Sequence, residues 1–396
     1  MKIYGQTLRE VFAKLPWAYK IVVAAGSIFL LFLLIHLPLQ LLRPLAAPSK
    51  VEPLRITPLG ALPAGVLDPS LAYDPKHKAV FMGYAAGSGD LIHVRIARSV
   101  DEGCKNWVQT QGGFEAKSDD ILAPDGQSVF RAGTWRIETP SLVHDPDDAG
   151  REWKLYAYKY FWPADPASRL AIAQHYGMIV YKYAADPAGP WSGEQWLFSP
   201  APDYPPPPYE SMILLHLNGL DPSLADITAY SRPSAVYKDG ALVMTLSAFV
   251  SGGMTPARVI MIVSLDHGSS WRYVGTPLTA AGLSSPYTKL AGASLIEQDG
   301  KMYLAAVPGD DARRAAGTLI FGFEDFFKGT LQRDPKTGAP VVLNRLPLQG
   351  TAPGLLGGGF AAYHDACPFG MLTGEQTPAA EQGFQIFKTY KKPVSP

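Results

Sequence analysis

The chain has no net charge: 35 lysines and arginines stand against 35 aspartates and glutamates. Without a net field to draw in a polyanion, nucleic acid is excluded as a partner, while sugars and other neutral ligands stay open. Cysteine is nearly missing. Cys104 and Cys367 are too few for a disulfide framework, lack metal-site spacing and say little about compartment. Long apolar runs are equally scarce, since only residues 21–42, IVVAAGSIFLLFLLIHLPLQLL, are long enough to cross a bilayer as a helix. Turn formers are abundant. There are 38 glycines and 36 prolines beside a 47% hydrophobic fraction, which excludes a disordered chain and calls for many reversals. At 396 residues there is room for one large domain or two to three ordinary ones.

Lys2, Arg9, Lys14 and Lys20 precede the apolar run, and Arg43 and Lys50 follow it. The positive-inside rule then sets residues 1–20 in the cytoplasm, 21–42 as a transmembrane signal anchor and 43–59 as a linker, with residues 60–396 as the main domain. The competing reading is a cleaved signal peptide with residues 21–35 as its apolar region and Leu45-Ala46-Ala47 near the cleavage site. Both export the main domain, to the periplasm or outside the cell.

That domain repeats. LDPSLAYDPKHKAVFMGY (67–84), ETPSLVHDPDDAGREWKLYAY (138–158), SRPSAVYKDGALVMTLSA (231–248) and GASLIEQDGKMYLAAV (292–307) share a small residue or Pro-Ser, an apolar strand, a turn of Asp, Gly or Pro, and a second apolar strand. Each reads as a β-hairpin with a buried first strand. GGFAAYHDACPFGML (358–372) is a fifth copy, and further strands follow each hairpin, three of them running into turns with Asp, Gly and Trp, as in SLDHGSSW (264–271). Units of about 40 to 50 residues with three or four strands are the signature of a β-propeller, so the expected fold is all-β with five blades, preceded by a single N-terminal transmembrane helix.

In such a fold the innermost strands run side by side down one channel, and residues in the same phase converge on one mouth. The residue before Pro-Ser is Asp68 in blade one, Thr139 in blade two, with Glu138 one place further out, and Arg232 in blade three. Glycoside hydrolysis needs two carboxyl groups, one to protonate the leaving oxygen and one as base or nucleophile.

The LDPS opening, the IETP step and the ADPAGPW turn (185–191) resemble the five-bladed glycoside hydrolases of family 43 and family 32, the furanosidase type, over residues 60–392. The resemblance implies Asp68 as base or nucleophile, Glu138 as acid and Arg232 as a substrate-binding residue or a charge that keeps a carboxylate ionised. The family places its acid glutamate on blade three, whereas here the glutamate is on blade two and arginine takes blade three. SLDHGSSW also matches the sialidase Asp box, a turn-stabilising element, which gives Asp266 a structural role; an arginine triad in phase is missing.

Blade five contributes His364 and Asp365 as substrate-side candidates, and by the same resemblance His364 lies near the axis. No cofactor is required, though an axial metal ion such as calcium near His364 is an option. The bland reading is a satisfied core histidine, and Cys367 reads as packing. Four prolines at 205–208 stiffen the segment 197–219. It is expected either beside the mouth, with Tyr204 and Tyr209 as sugar-stacking groups, or as a spacer on the outer surface. Asp221, in a second LDPSLA (220–225), reads as loop, and 333–354 as a surface connection. Three functions follow: an exported, membrane-anchored glycoside hydrolase acting on a glycan substrate; a catalytically silent carbohydrate-binding propeller assisting polysaccharide assembly or export at the cell envelope; and a scaffold for protein partners. Phosphorolysis is a variant of the first, with Arg232 holding phosphate.

Overall fold

ALVMTLSAFV (241–250) is apolar at nearly every position rather than at alternate ones, as expected of a strand buried on both faces. Leu242, Met244, Leu246 and Ala248 pack toward the preceding blade, and Ala241 and Val243 toward the following one. The structure, a computed structural model, describes residues 52–59, 65–88, 90–123, 125, 128–253, 255–283, 286–310, 315–348, 360–376 and 383–395, besides two short strands, Lys2–Ile3 and Gln6–Thr7. The chain divides into a unit Met1–Lys50 and a unit Val51–Pro396. The apolar run 21–42 lies outside the described residues, among which no helix is long and apolar enough to cross a membrane.

The second unit is a five-bladed propeller of antiparallel sheets. Blade one is Gly65–Asp74, Ala79–Ser88, Leu91–Ser99 and Trp107–Phe114. Blade two is Val129–His144, Trp153–Pro163, Met178–Ala184 and Gln195–Ser199, widened by Lys117–Leu122 and Ile213–His216. Blade three is Ile227–Lys238, Ala241–Val250, Arg258–Ser264 and Arg272–Thr279. Blade four is Lys289–Gln298, Lys301–Gly309, Thr318–Asp325 and Val342–Leu346. The last strand lies in the segment expected as a mere surface connection. Blade five is Phe360–Ala362, Leu372–Gln376 and Phe384–Lys388, completed by Glu52–Pro53 from the start of the unit. Residues 52–57 are therefore not linker: Glu52–Pro53 closes the ring, and Ile56–Thr57 adds a parallel strand to blade one.

The core is five apolar clusters, one per interface between neighbouring blades. Two devices recur. Ser70 Oγ accepts from the Leu142 amide (3.0 Å), Ser141 Oγ from the Ala235 amide (2.8 Å) and Ser234 Oγ from the Leu295 amide (2.8 Å), so the Pro-Ser serine of each blade pins the inner strand of the next. In the outer turns an aspartate accepts backbone amides and a tryptophan indole N–H donates to the turn. Asp101 with Trp107, Asp186 with Trp191 and Asp266 with Trp271 all do so. Asp266 thus has the structural role the sequence assigns it.

The expectation for the cysteines is corrected: Cys104 and Cys367, 263 residues apart, form a disulfide joining blade one to blade five. Ring closure makes them neighbours. Asp221 lies in a short helical turn and accepts from the Ser223 amide, as loop chemistry requires.

Candidate active site

Asp68, Thr139 and Arg232 occupy one phase of three adjacent inner strands, and in each the ladder slips at that point, between Leu67 and Ser70, Glu138 and Ser141, and Ser231 and Ser234. At the slip their φ angles are 51°, 51° and 54°. A side chain before proline, and a β-branched threonine above all, disfavours that left-handed conformation. Bulges with such strain collect next to active sites and cost about 1–3 kcal/mol per residue. Here the bulges set Asp68, Thr139 and Arg232 in the wall of one axial cavity, together with Phe360 of blade five. Blade four contributes Gly292 in the same phase. A Cβ there would lie 2.4 Å from Arg232 Cδ and 2.9 Å from Phe360 Cε1, so the missing side chain makes room for the guanidinium, which sits 3.9 Å above the Phe360 ring.

Asp68 is buried, at 6% exposure. Burial and the neighbouring Glu138 push its carboxyl up to about 7, while Arg232 and a hydrogen bond from the Thr139 amide pull the other way. The Thr139 hydroxyl is buried with no protein partner among the described residues. Glu138, half-buried, stands opposite Tyr158 in the hairpin and accepts from the Tyr160 hydroxyl at 3.1 Å; the two tyrosine rings stack 5.0 Å apart. Burial first, and Glu138 second, raise the Tyr158 and Tyr160 phenols, so both stay neutral donors. Two positions earlier Arg136 donates to Asp90 (2.6 Å) and lies over the Trp162 ring.

The other candidates are placed elsewhere. His364 and Asp365 belong to the opposite end of the channel, not to the group around Asp68. Asp365 is structural, accepting from the Asp299 amide and the Tyr363 hydroxyl. Tyr209 packs against Trp135 and Trp196 in blade two and accepts from the Leu122 amide, while Tyr204 meets His175. Neither is among the described residues lining the axial mouth, because the proline segment folds onto blade two's edge, where Ile213–His216 extends the sheet.

Acid and imidazole groups near His364 do not gather closely enough, among the described residues, to hold an ion between three of them. Asp145, Asp148 and His267 do gather, but the buried Lys154 ammonium already donates to both carboxylates, at 2.8 and 2.7 Å. Its charge takes the place of a cation and clamps blade two to the Asp-box turn of blade three, where His267 reaches Asp145. Phe360, Gly292, Tyr158 and Tyr160 escape sequence reading as site residues. Only Gly292 leaves a signal there, as the glycine in phase with Asp68.

Fold and site define a five-bladed propeller with the Asp68 carboxyl and the Arg232 guanidinium in the wall of one axial mouth, and with Glu138 near enough to raise the Asp68 carboxyl. No family model and no curated protein matches the sequence. Solved structures do. The chain is similar to the Bacteroides ovatus xyloglucan PUL GH43B over 85% of its length, at 13% identity and TM-score 0.45, covering 53% of that chain. It is similar to Zg3597, a family 117 glycoside hydrolase of the marine bacterium Zobellia galactanivorans, over 88% of its length (14%, TM-score 0.45, 92% of that chain). The Trypanosoma rangeli sialidase follows at 83% (11%, TM-score 0.42, 55% of that chain). The chain thus spans about half the length of the first and third. At these identities the likeness is one of fold, to glycoside hydrolases of family 43 and related five-bladed propellers.

Proposed function

We propose that this propeller is a glycoside hydrolase, with Asp68 and Glu138 as its carboxyl pair. The observation that carries the reading is the buried Asp68 at a strained bulge, within electrostatic reach of both Glu138 and Arg232. A carboxyl near 7 holds its proton about half the time at neutral pH, which suits a general acid. Asp68 then donates its proton to the leaving glycosidic oxygen as the bond to the anomeric carbon breaks. Glu138, steadied by Tyr160, acts on that carbon from the other side, directly or through a water. This reverses the roles implied by the motif resemblance, because Asp68 is the more deeply buried of the two. Arg232 and the unpartnered Thr139 hydroxyl bind substrate oxygens.

A furanosidic linkage is the narrower form of the proposal and rests on the motif resemblance alone. Export rests on the disulfide, which persists in oxidising compartments, and on the charge asymmetry around residues 21–42, read as a membrane anchor. A silent glycan-binding propeller is the second reading, favoured by one observation: blade three presents Arg232 laid over Phe360 rather than a third carboxylate.

The test is sugar release by the full chain from a panel of furanosidic and pyranosidic glycans, with Asp68→Asn and Glu138→Gln alongside. The hydrolase reading expects release by the unmutated protein and a loss of about 10²–10⁴-fold in each variant. Equal inertness of all three, with glycan bound, replaces it with the binding propeller.

A further inference from the structure

The channel has a second mouth. Five residues beyond Asp68, Thr139, Arg232 and Gly292 stand Tyr73, His144, Tyr237 and Glu297, and blade five adds His364; all five side chains are half-buried. They line a cavity of about 350 Å3 that shares Leu71, Ala235, Val236, Leu295 and Tyr363 with the first, so the two are opposite ends of one axis. Cavities of this size hold small ligands. We infer that this far mouth binds a neutral saccharide ring, at a site distinct from the carboxyl pair.

Its chemistry selects that class. Tyr73 stacks on His364 (ring centres 5.6 Å apart), and His144 stacks on Trp153 (4.7 Å). The tyrosine and histidine faces at the rim suit the C–H face of a sugar. His364 Nδ1 accepts from the Ala366 amide, so in the neutral ring Nε2 carries the proton and is the donor left over. Burial lowers both histidines, keeping them neutral at pH 7. Glu297 gives one oxygen, Oε1, to Lys238 at 2.7 Å, while Oε2 has no protein partner among the described residues and can accept from a hydroxyl. The nearby acids are otherwise occupied: Asp147 accepts from Tyr237, Asp74 from the Lys76 amide, and Asp365 from Asp299 and Tyr363. An anion would face Glu297 with no cation free to receive it among the described residues, Lys238 being paired with Glu297, and a metal ion would find that carboxylate already paired. A ring with vicinal hydroxyls and an apolar face meets every group left.

The inference does not depend on hydrolysis, and its test separates the two. Galactose, arabinose, xylose and glucose are titrated into the full chain and into the Asp68→Asn/Glu138→Gln double variant, read by saturation transfer to the sugar and by the histidine Cε1 proton resonances. The expected result is saturable binding that survives in the double variant, with His144 and His364 shifting along the same isotherm. Glu297→Gln or Tyr73→Ala in that background should weaken it about tenfold or more. Loss of all sugar binding in the double variant overturns the inference. So does binding that leaves the histidine resonances unmoved, a reading that needs no far-mouth substitution to fold.

Discussion

Asp68 concentrates the cost of the site. Its carboxyl rises from 3.8 to about 7 on folding, so the folded state holds a proton that the unfolded chain has released between those values. The stability belonging to that proton is complete below pH 3.8 and lost as pH climbs through 7, a penalty on the order of 4 kcal/mol at alkaline pH. Asp68→Asn removes it. The variant is expected to melt at a higher temperature than the unmutated protein at pH 8, with the gain fading toward pH 4, as scanning calorimetry at the two pH values would show. A gain of the same size at both would mean that Asp68 is not held protonated. The same carboxyl sets the rate. If Asp68 is the acid, kcat/KM falls as pH rises through about 7, whereas a base at Asp68 makes it rise there; the slope of the profile decides between the two roles.

At the scale of the strand, the serine that follows each axial proline does the holding. Ser141→Ala leaves the Ala235 amide buried and unpaired at the interface of blades two and three. The expected loss is about 1–3 kcal/mol in a urea denaturation, with no change in the pH profile of catalysis. A neutral substitution would mean that the blades are set by apolar packing alone. Repeats of this kind are why the fold was legible: Pro-Ser recurs because each serine repeats one contact, and the Asp-to-Trp turns recur because each caps itself. The site was legible only where phase implies place. Asp68 and Arg232 come together because equal phase on inner strands means one mouth, and His364 does not, because it stands five residues further along its strand. Tyr209 stayed open between the mouth and the outer surface because the parallel strand Ile213–His216, which pulls the proline segment onto blade two, is four residues long and carries no pattern.

The whole molecule is a ring, and a ring must be closed. Glu52–Pro53 completes blade five, Tyr390 donates to Glu52 at 2.6 Å, and Cys104–Cys367 fastens blade one to blade five across the same seam. None of this is visible locally. A two-residue strand has no periodicity, and cysteines 263 residues apart become neighbours only when the last blade meets the first. A crosslink over so long a loop restricts the unfolded chain strongly, so replacing both cysteines by serine, or adding reductant, is expected to cost about 2–5 kcal/mol. Thermal unfolding with and without reductant measures it, and an unchanged midpoint would leave closure to the strand and the apolar seam.

The most direct measurement of the central claim is sugar release by the unmutated full chain beside Glu138→Gln at the near mouth and Glu297→Gln at the far one. A carboxyl-pair hydrolase at the near mouth requires release by the unmutated chain and by Glu297→Gln, with Glu138→Gln slowed about 10²-fold or more. Glu138→Gln as fast as the unmutated chain, or a chain inert on every glycan, would contradict it.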